Sequence, residues 1–164
     1  MATMNPELAA AILDVAKRNS WSPVDLGTAI SYETAGTFDP WKAGPTTQWG
    51  QHRGLIQWGE PQARQYGVTK DMSVTDQMLA VEKYLLDRGV KSGAGLLDIY
   101  SAINAGAPGL YDRSDANNGG APGTVRDKVR PVQRAQWLAL DRQQQRADRG
   151  DWEAVDANTV ALPA

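Results

Sequence analysis

A helix that ends in an acid constrains this chain more than any other feature. The run Ser22-Pro23-Val24-Asp25-Leu26-Gly27-Thr28-Ala29-Ile30-Ser31-Tyr32-Glu33 opens with an N-cap serine and a proline suited to the first helical position. Leu26, Ile30 and Glu33 fall at i, i+4 and i+7, along one stripe, and Gly36 supplies a stop signal just beyond. A fold that buries this stripe must also house the Glu33 carboxyl at its last turn. The negative end of the helix dipole and partly apolar surroundings both raise a carboxyl pKa. An acid that keeps its proton near neutral pH can pass it to a leaving oxygen, which makes Glu33 the candidate catalytic residue. The competing reading is a helix-end glutamate that reaches solvent or pairs with Arg53.

The rest of the chain reads as further helices separated by two long loops. Asn5, Pro6 and Glu7 open a helix that carries Leu8, Ile12, Val15 and Ala16 to about Asn19. Residues 60–66 form a short helix ended by Gly67, and Ser73 caps another that turns Met78, Val81, Tyr84 and Leu85 inward and ends at Gly89. Leu96, Ile99, Tyr100 and Ile103 line one side of the next, which runs out at Ala105-Gly106. A last helix is expected from Val125 to Arg149, with Val129, Val132, Trp137 and Leu140 as core contacts and a kink at Pro131. Residues 37–57 lack a helical period and read as a long loop with a small hairpin near Thr46 to Gln57; residues 107–124 form a second. Loops of this length in a compact domain are usually functional.

Composition removes several classes of function. Charged residues make up 22% and hydrophobic ones 41%, which argues for a folded globular domain over disorder. The 164 residues read as one domain, 1–154, followed by a tail, 155–164. A net charge of -2 gives no global field toward nucleic acid or anionic lipid, so neither partner is expected. Without cysteine there is no thiolate chemistry, and one histidine excludes a multi-histidine metal centre. No metal or organic cofactor is implied. No stretch approaches the length of a membrane span, and the N-terminal residues show no signal peptide.

Three separated elements carry a resemblance: Glu33-Thr34 at a helix end, then Gly54-Leu55-Ile56-Gln57, then Ala102-Ile103-Asn104-Ala105-Gly106. In this order the chain resembles the lysozyme-like superfamily, and within it the soluble type of lytic transglycosylase and bacteriophage relatives. Residues 72–85 also resemble a segment of phage-encoded members, and the likeness covers roughly residues 22 to 107. The resemblance implies a mainly α, lysozyme-like helical domain with the long loop or small β-hairpin forming one wall of a substrate groove. It also implies cleavage of the β-1,4 bond between N-acetylmuramic acid and N-acetylglucosamine in peptidoglycan. There the glutamate alone protonates the glycosidic oxygen and then helps the sugar's 6-hydroxyl close a 1,6-anhydro ring. Water-using glycosidases need a second carboxylate across the bond. Asp39 is the nearest acidic candidate, in a Phe38-Asp39-Pro40 setting that looks like turn chemistry. A single acid therefore favours transglycosylation, with a hydrolytic muramidase using Asp39 or a loop residue as the first rival.

Around Glu33 the expected substrate-binding residues are Thr34, Gln57, Tyr100, Asn104, Trp49 and Trp58. Ile103 stands where the family has a tyrosine; Tyr100, four residues before Asn104, can face the same groove. Trp41, Trp49 and Trp58 are either sugar platforms or packing anchors of the loop. Asn104 is either a groove residue or an amide capping a neighbouring loop. His52-Arg53 either lies on the surface or helps hold a substrate carboxylate, and the charge run from Asp141 to Arg149 reads as a solvated helix face. Expected partners are glycan strands and other virion or tail proteins. The expected setting is a phage virion or the host cytoplasm before release, as a wall-opening enzyme of genome entry or an endolysin. The second rival is a non-catalytic tail or wall-binding protein.

Overall fold

The computed structural model describes residues 5–118 and 122–129. It is mainly helical with one small antiparallel hairpin: α1 (Pro6–Asn19), α2 (Pro23–Glu33), β1 (Ala43–Thr47), β2 (Gly50–Arg53), α3 (Glu60–Tyr66), α4 (Val74–Asp87), α5 (Leu96–Ala105) and α6 (Val125–Lys128). Helix starts follow the chemistry of their caps. Asn5 Oδ1 accepts the Glu7 N–H, Ser22 Oγ accepts from Asp25 and Ser73 Oγ accepts from Asp76, each satisfying a first-turn donor. Gly67, in the left-handed region at φ 68°, ends α3.

Leu8, Ile12 and Val15 of α1 meet Met78, Val81 and Leu85 of α4, and all six are fully or almost fully buried. Helix α2 lies against both α1 and α5 and is enclosed along most of its circumference, with Gly27, Thr28, Ala29 and Ser31 buried beside Leu26 and Ile30. The stripe read from the sequence is thus part of a wider buried surface. Asn19 and Arg18 at the end of α1 both bond the Glu82 carboxylate of α4, and Trp21 Nε1 donates to Lys91 O at 2.8 Å. These bonds tie the end of α1 and the turn before α2 to α4 and the segment after it.

The hairpin lies earlier than Thr46 to Gln57. Its strands pair Ala43 with Arg53 and Thr47 with Gly50, with a shift of register between Ala43 and Thr46. Gly44 and Pro45 hide this strand from a propensity reading. A two-stranded sheet has only edge strands, and there a proline without an N–H is tolerated. Residues 54–57 form a turn, closed by a pair of bonds between the Arg53 and Trp58 backbones.

The helix expected from Val125 to Arg149 is described only as the single turn α6, held by a capping box between Thr124 and Asp127. Pro131, Val132, Trp137, Leu140, the charge run and the tail 155–164 lie outside the described residues.

Candidate active site

A cavity of about 770 Å³ opens between the hairpin, the end of α2, α5 and the segments that follow α5. That size suits a small molecule or a few sugar rings. Glu33, the last residue of α2, lines it. The Glu33 residue keeps some access through the cavity, but its carboxyl is hemmed in by protein. Loss of water around the carboxyl pushes its pKa up to about 8; the nearby Asp115 carboxylate adds to the rise, while Lys128 and the Tyr100 hydroxyl oppose it. At neutral pH this side chain holds its proton. The Arg53 pairing considered above is not what the structure contains: Arg53 Nη2 donates to Gln51 Oε1 and its guanidinium lies 5.9 Å from the Trp41 ring centre.

Tyr100 and Asn104, one turn apart on α5, both line the cavity. Tyr100 is fully buried and packs edge-on against Tyr32 with ring centres 5.3 Å apart. Its hydroxyl makes no hydrogen bond of full geometry, yet it lies near enough to Glu33 for each to shift the other's titration. Burial, with Glu33 beside it, keeps the phenol protonated far above its ordinary range. Asn104 serves both readings at once: it faces the cavity, and its Nδ2 donates to Asp115 Oδ2 at 3.1 Å.

Gln57 also lines the cavity, in the left-handed region at φ 58°, a conformation costing a non-glycine residue about 1–2 kcal/mol. Hydrogen bonds compensate. Its Nε2 donates to Lys42 O at 3.0 Å and Gly54 O at 3.1 Å, so the amide ties the hairpin to the turn. Gly54 has φ 89°, and a Cβ there would stand 2.7 Å from Gln77 Oε1. That Gln77, buried on α4, accepts from Leu55 N–H at 2.9 Å and donates to Pro40 O at 2.8 Å. The Gly54-to-Gln57 turn is therefore held by the buried Gln77 amide on one side and by the half-buried Gln57 amide itself.

His52 adds a further tie. Its Nδ1 donates to Gln57 O at 2.9 Å, because a carbonyl can only accept, and its Nε2 meets Thr47 Oγ1 at 2.8 Å. Thr47 in turn accepts the Trp49 N–H at 3.1 Å. His52 is thus part of the cavity wall, and Trp49, 54% exposed at the hairpin tip, stands on its rim.

Two expected substrate-binding residues lie elsewhere. Thr34 is buried and closes α2: its hydroxyl donates to Ile30 O at 2.8 Å and accepts the Phe38 N–H at 3.0 Å. Trp58 is a core anchor, buried between Tyr66 and Tyr84 at 5.7 Å from each ring centre. Asp39 is no partner for Glu33 either; it is exposed and its Oδ1 accepts the Trp41 N–H, an Asx turn.

The second carboxylate of the cavity is Asp115, in the loop after α5, and it pairs with Lys128 of α6. Arg88, at the C-cap of α4, also lines the wall, its guanidinium 5.1 Å from the Tyr84 ring centre. Sequence reading missed these residues because no period or motif marks them. A long loop carrying Asp112 and Asp115 was the available signal. Among the described residues no cluster of three or more histidines or acids is placed to hold a metal, and no helix is long and apolar enough to cross a membrane. No family model, curated protein or solved structure matches this chain.

Proposed function

We propose that this chain has a lysozyme-like domain and cleaves the β-1,4 bond between N-acetylmuramic acid and N-acetylglucosamine in peptidoglycan, with Glu33 as general acid. One observation carries the reading: a carboxyl that keeps its proton to about pH 8 lines a cavity of sugar-binding size. Chemistry at a glycosidic bond starts with protonation of the leaving oxygen. An acid whose pKa lies near the working pH is suited to that step. Gln57, Tyr100 and Asn104 form the wall around it, and Trp49 at the rim offers an indole face to a sugar ring. The motif order and the phage-like stretch 72–85 favour an enzyme of a phage virion that opens the wall during genome entry, or an endolysin.

After protonation two outcomes branch. The resemblance to lytic transglycosylases supports closure of a 1,6-anhydro ring by the sugar's own hydroxyl. Asp115 in the same cavity supports the second reading, attack by water, because hydrolysis needs a carboxylate besides the acid. A wall-binding protein without catalysis is separated from both by turbidity loss of purified cell walls, comparing the wild type with Glu33→Gln. Clearing by the wild type alone is the expected result. Equal clearing by both removes Glu33 from the mechanism, and no clearing by either favours the binding role.

A further inference from the structure

Asp115 reaches the cavity by a route that takes three elements to build. Ser101 Oγ of α5 donates to Ala107 O at 2.6 Å and accepts the Leu110 N–H at 2.9 Å, which pins the start of the loop to the helix it leaves. Tyr111 bonds the Asp98 carboxylate of α5 through its hydroxyl, and its carbonyl accepts the Arg126 N–H at 3.0 Å. The Val125 N–H donates to Arg113 O at 2.9 Å. The loop is thus held from Ala107 to Arg113, up to two residues before Asp115. The side chain is gripped as well: Oδ1 pairs with the Lys128 ammonium of α6, and Oδ2 accepts from Asn104 Nδ2 of α5.

The plain account of this arrangement is structural. Lys128 is 3% exposed, and a buried ammonium is costly unless paired, so Asp115 would serve to neutralise it. A counter-ion with that role alone needs no open face. Asp115 keeps 35% of its side-chain surface accessible and lines the same cavity as Glu33. The two carboxyls therefore share one space in contrasting settings, the first hemmed in by protein beside Tyr100, the second in an ionic and hydrogen-bonded one. Such a contrast between paired acids is the arrangement that divides acid from base.

We infer that Asp115 is the base of this site, accepting a proton from a water that attacks the anomeric carbon, so that the glycan is cut by hydrolysis with inversion. The inference rests on the reading of Glu33 as the acid. In the step, Glu33 gives its proton to the glycosidic oxygen and the C1–O bond breaks with its electron pair going to that oxygen. Water forms the new bond to C1 while Asp115 takes one of its protons. The products are a free 4-hydroxyl and a reducing-end sugar of α configuration; exchange with solvent then returns the proton from Asp115 to Glu33. Water attacking from the face opposite the leaving oxygen inverts the anomeric centre, whereas covalent attack by Asp115 itself would end in retention. A carboxylate has about four lone-pair sites, so two remain for water.

The test digests purified peptidoglycan with the full chain in ¹⁸O-labelled water and reads the products by mass spectrometry and early-time proton NMR. Expected are reducing ends carrying one ¹⁸O, formed first as the α anomer. Asp115→Asn should cut the rate about 10²-fold or more; because it also unpairs the buried Lys128 ammonium, its rate is read at a temperature where the variant's own unfolding curve shows it folded. Anhydro-muramyl ends, or a product formed first as the β anomer, would overturn the role of Asp115 and leave Glu33 as the acid. Absence of any cleavage by the wild-type chain would remove both. The product analysis uses the wild type alone, so it stands even where Asp115→Asn does not fold.

Discussion

Glu33 and Asp115, which come from segments far apart in the chain, line one cavity, and the Asp115 carboxylate helps keep the Glu33 carboxyl protonated. Removing that charge should release the acid. In Asp115→Asn the Glu33 midpoint is expected to fall below its value of about 8 in the parent chain, because a nearby negative charge that raises it has gone. Carbon-13 NMR of the side-chain carboxyls, titrated with pH, reads the shift without reference to activity. An unmoved midpoint would mean that desolvation alone sets it.

The same carboxyl makes stability depend on pH. Its ordinary pKa is 4.5 and its folded value about 8, so between these limits the folded chain holds a proton the unfolded chain has lost. Stability from this group is full below about 4.5 and declines as pH rises, levelling off above about 8. Glu33→Gln lacks the effect. Urea unfolding at a series of pH values should show the variant gaining on the wild type by on the order of a few kcal/mol between pH 5 and 8. A constant difference across that range would contradict an enclosed Glu33.

Thr34→Val separates structure from binding. The substitution keeps the shape but leaves the buried Phe38 N–H without the hydroxyl that accepts it. The expected loss is about 1–3 kcal/mol in chemical unfolding, with the KM for glycan unchanged. A raised KM at unaltered stability would return Thr34 to the substrate groove.

The tryptophans should behave in opposite ways. Trp58→Ala empties a buried site between two tyrosines and should cost about 3–5 kcal/mol of stability. Trp49→Ala touches an exposed indole and should alter stability by no more than about 0.5 kcal/mol while weakening retention on insoluble peptidoglycan. Unchanged retention would exclude Trp49 as a sugar platform.

Gly44 lies under the Gln57 side chain. A Cβ at Gly44 would clash with Gln57 Oε1, so Gly44→Ala must push the end of the Gln57 side chain aside and disturb its bonds to two backbone acceptors. About 1–3 kcal/mol of destabilisation is expected by urea unfolding. Truncating Gln57→Ala in the same chain removes the clash, so the double variant should lose less than the sum of the singles. Additive losses would show that the two side chains do not compete for the space.

What the sequence reveals here is local chemistry. Ser22, Ser73 and Asn5 act on their own helix starts, and Tyr100 and Asn104 share a face because α-helical geometry is periodic. Glu33 stands out for the same reason, as a charge where the period asks for an apolar side chain. Trp58 turned from the groove because its setting depends on Tyr84, a partner brought in by tertiary packing, whereas Thr34 is taken up locally, closing α2 through Ile30 and Phe38. Gln77 left a faint trace, a polar residue beside Met78 on the inner face of α4, whose use became apparent only with the turn it holds. Asp115 left only its place in a long loop, since that stretch has no period and the residue depends on Lys128 for its setting.

The clasp between Asp115 and Lys128 joins segments that follow the five longer helices among the described residues, whereas the acid sits at the end of the second. Most of the described chain must therefore assemble before the two carboxyls meet. An unfolded chain carries Glu33 as an ordinary wet carboxylate; packing around the end of α2 raises its pKa, and the second carboxylate joins it only when the segments after α5 have docked.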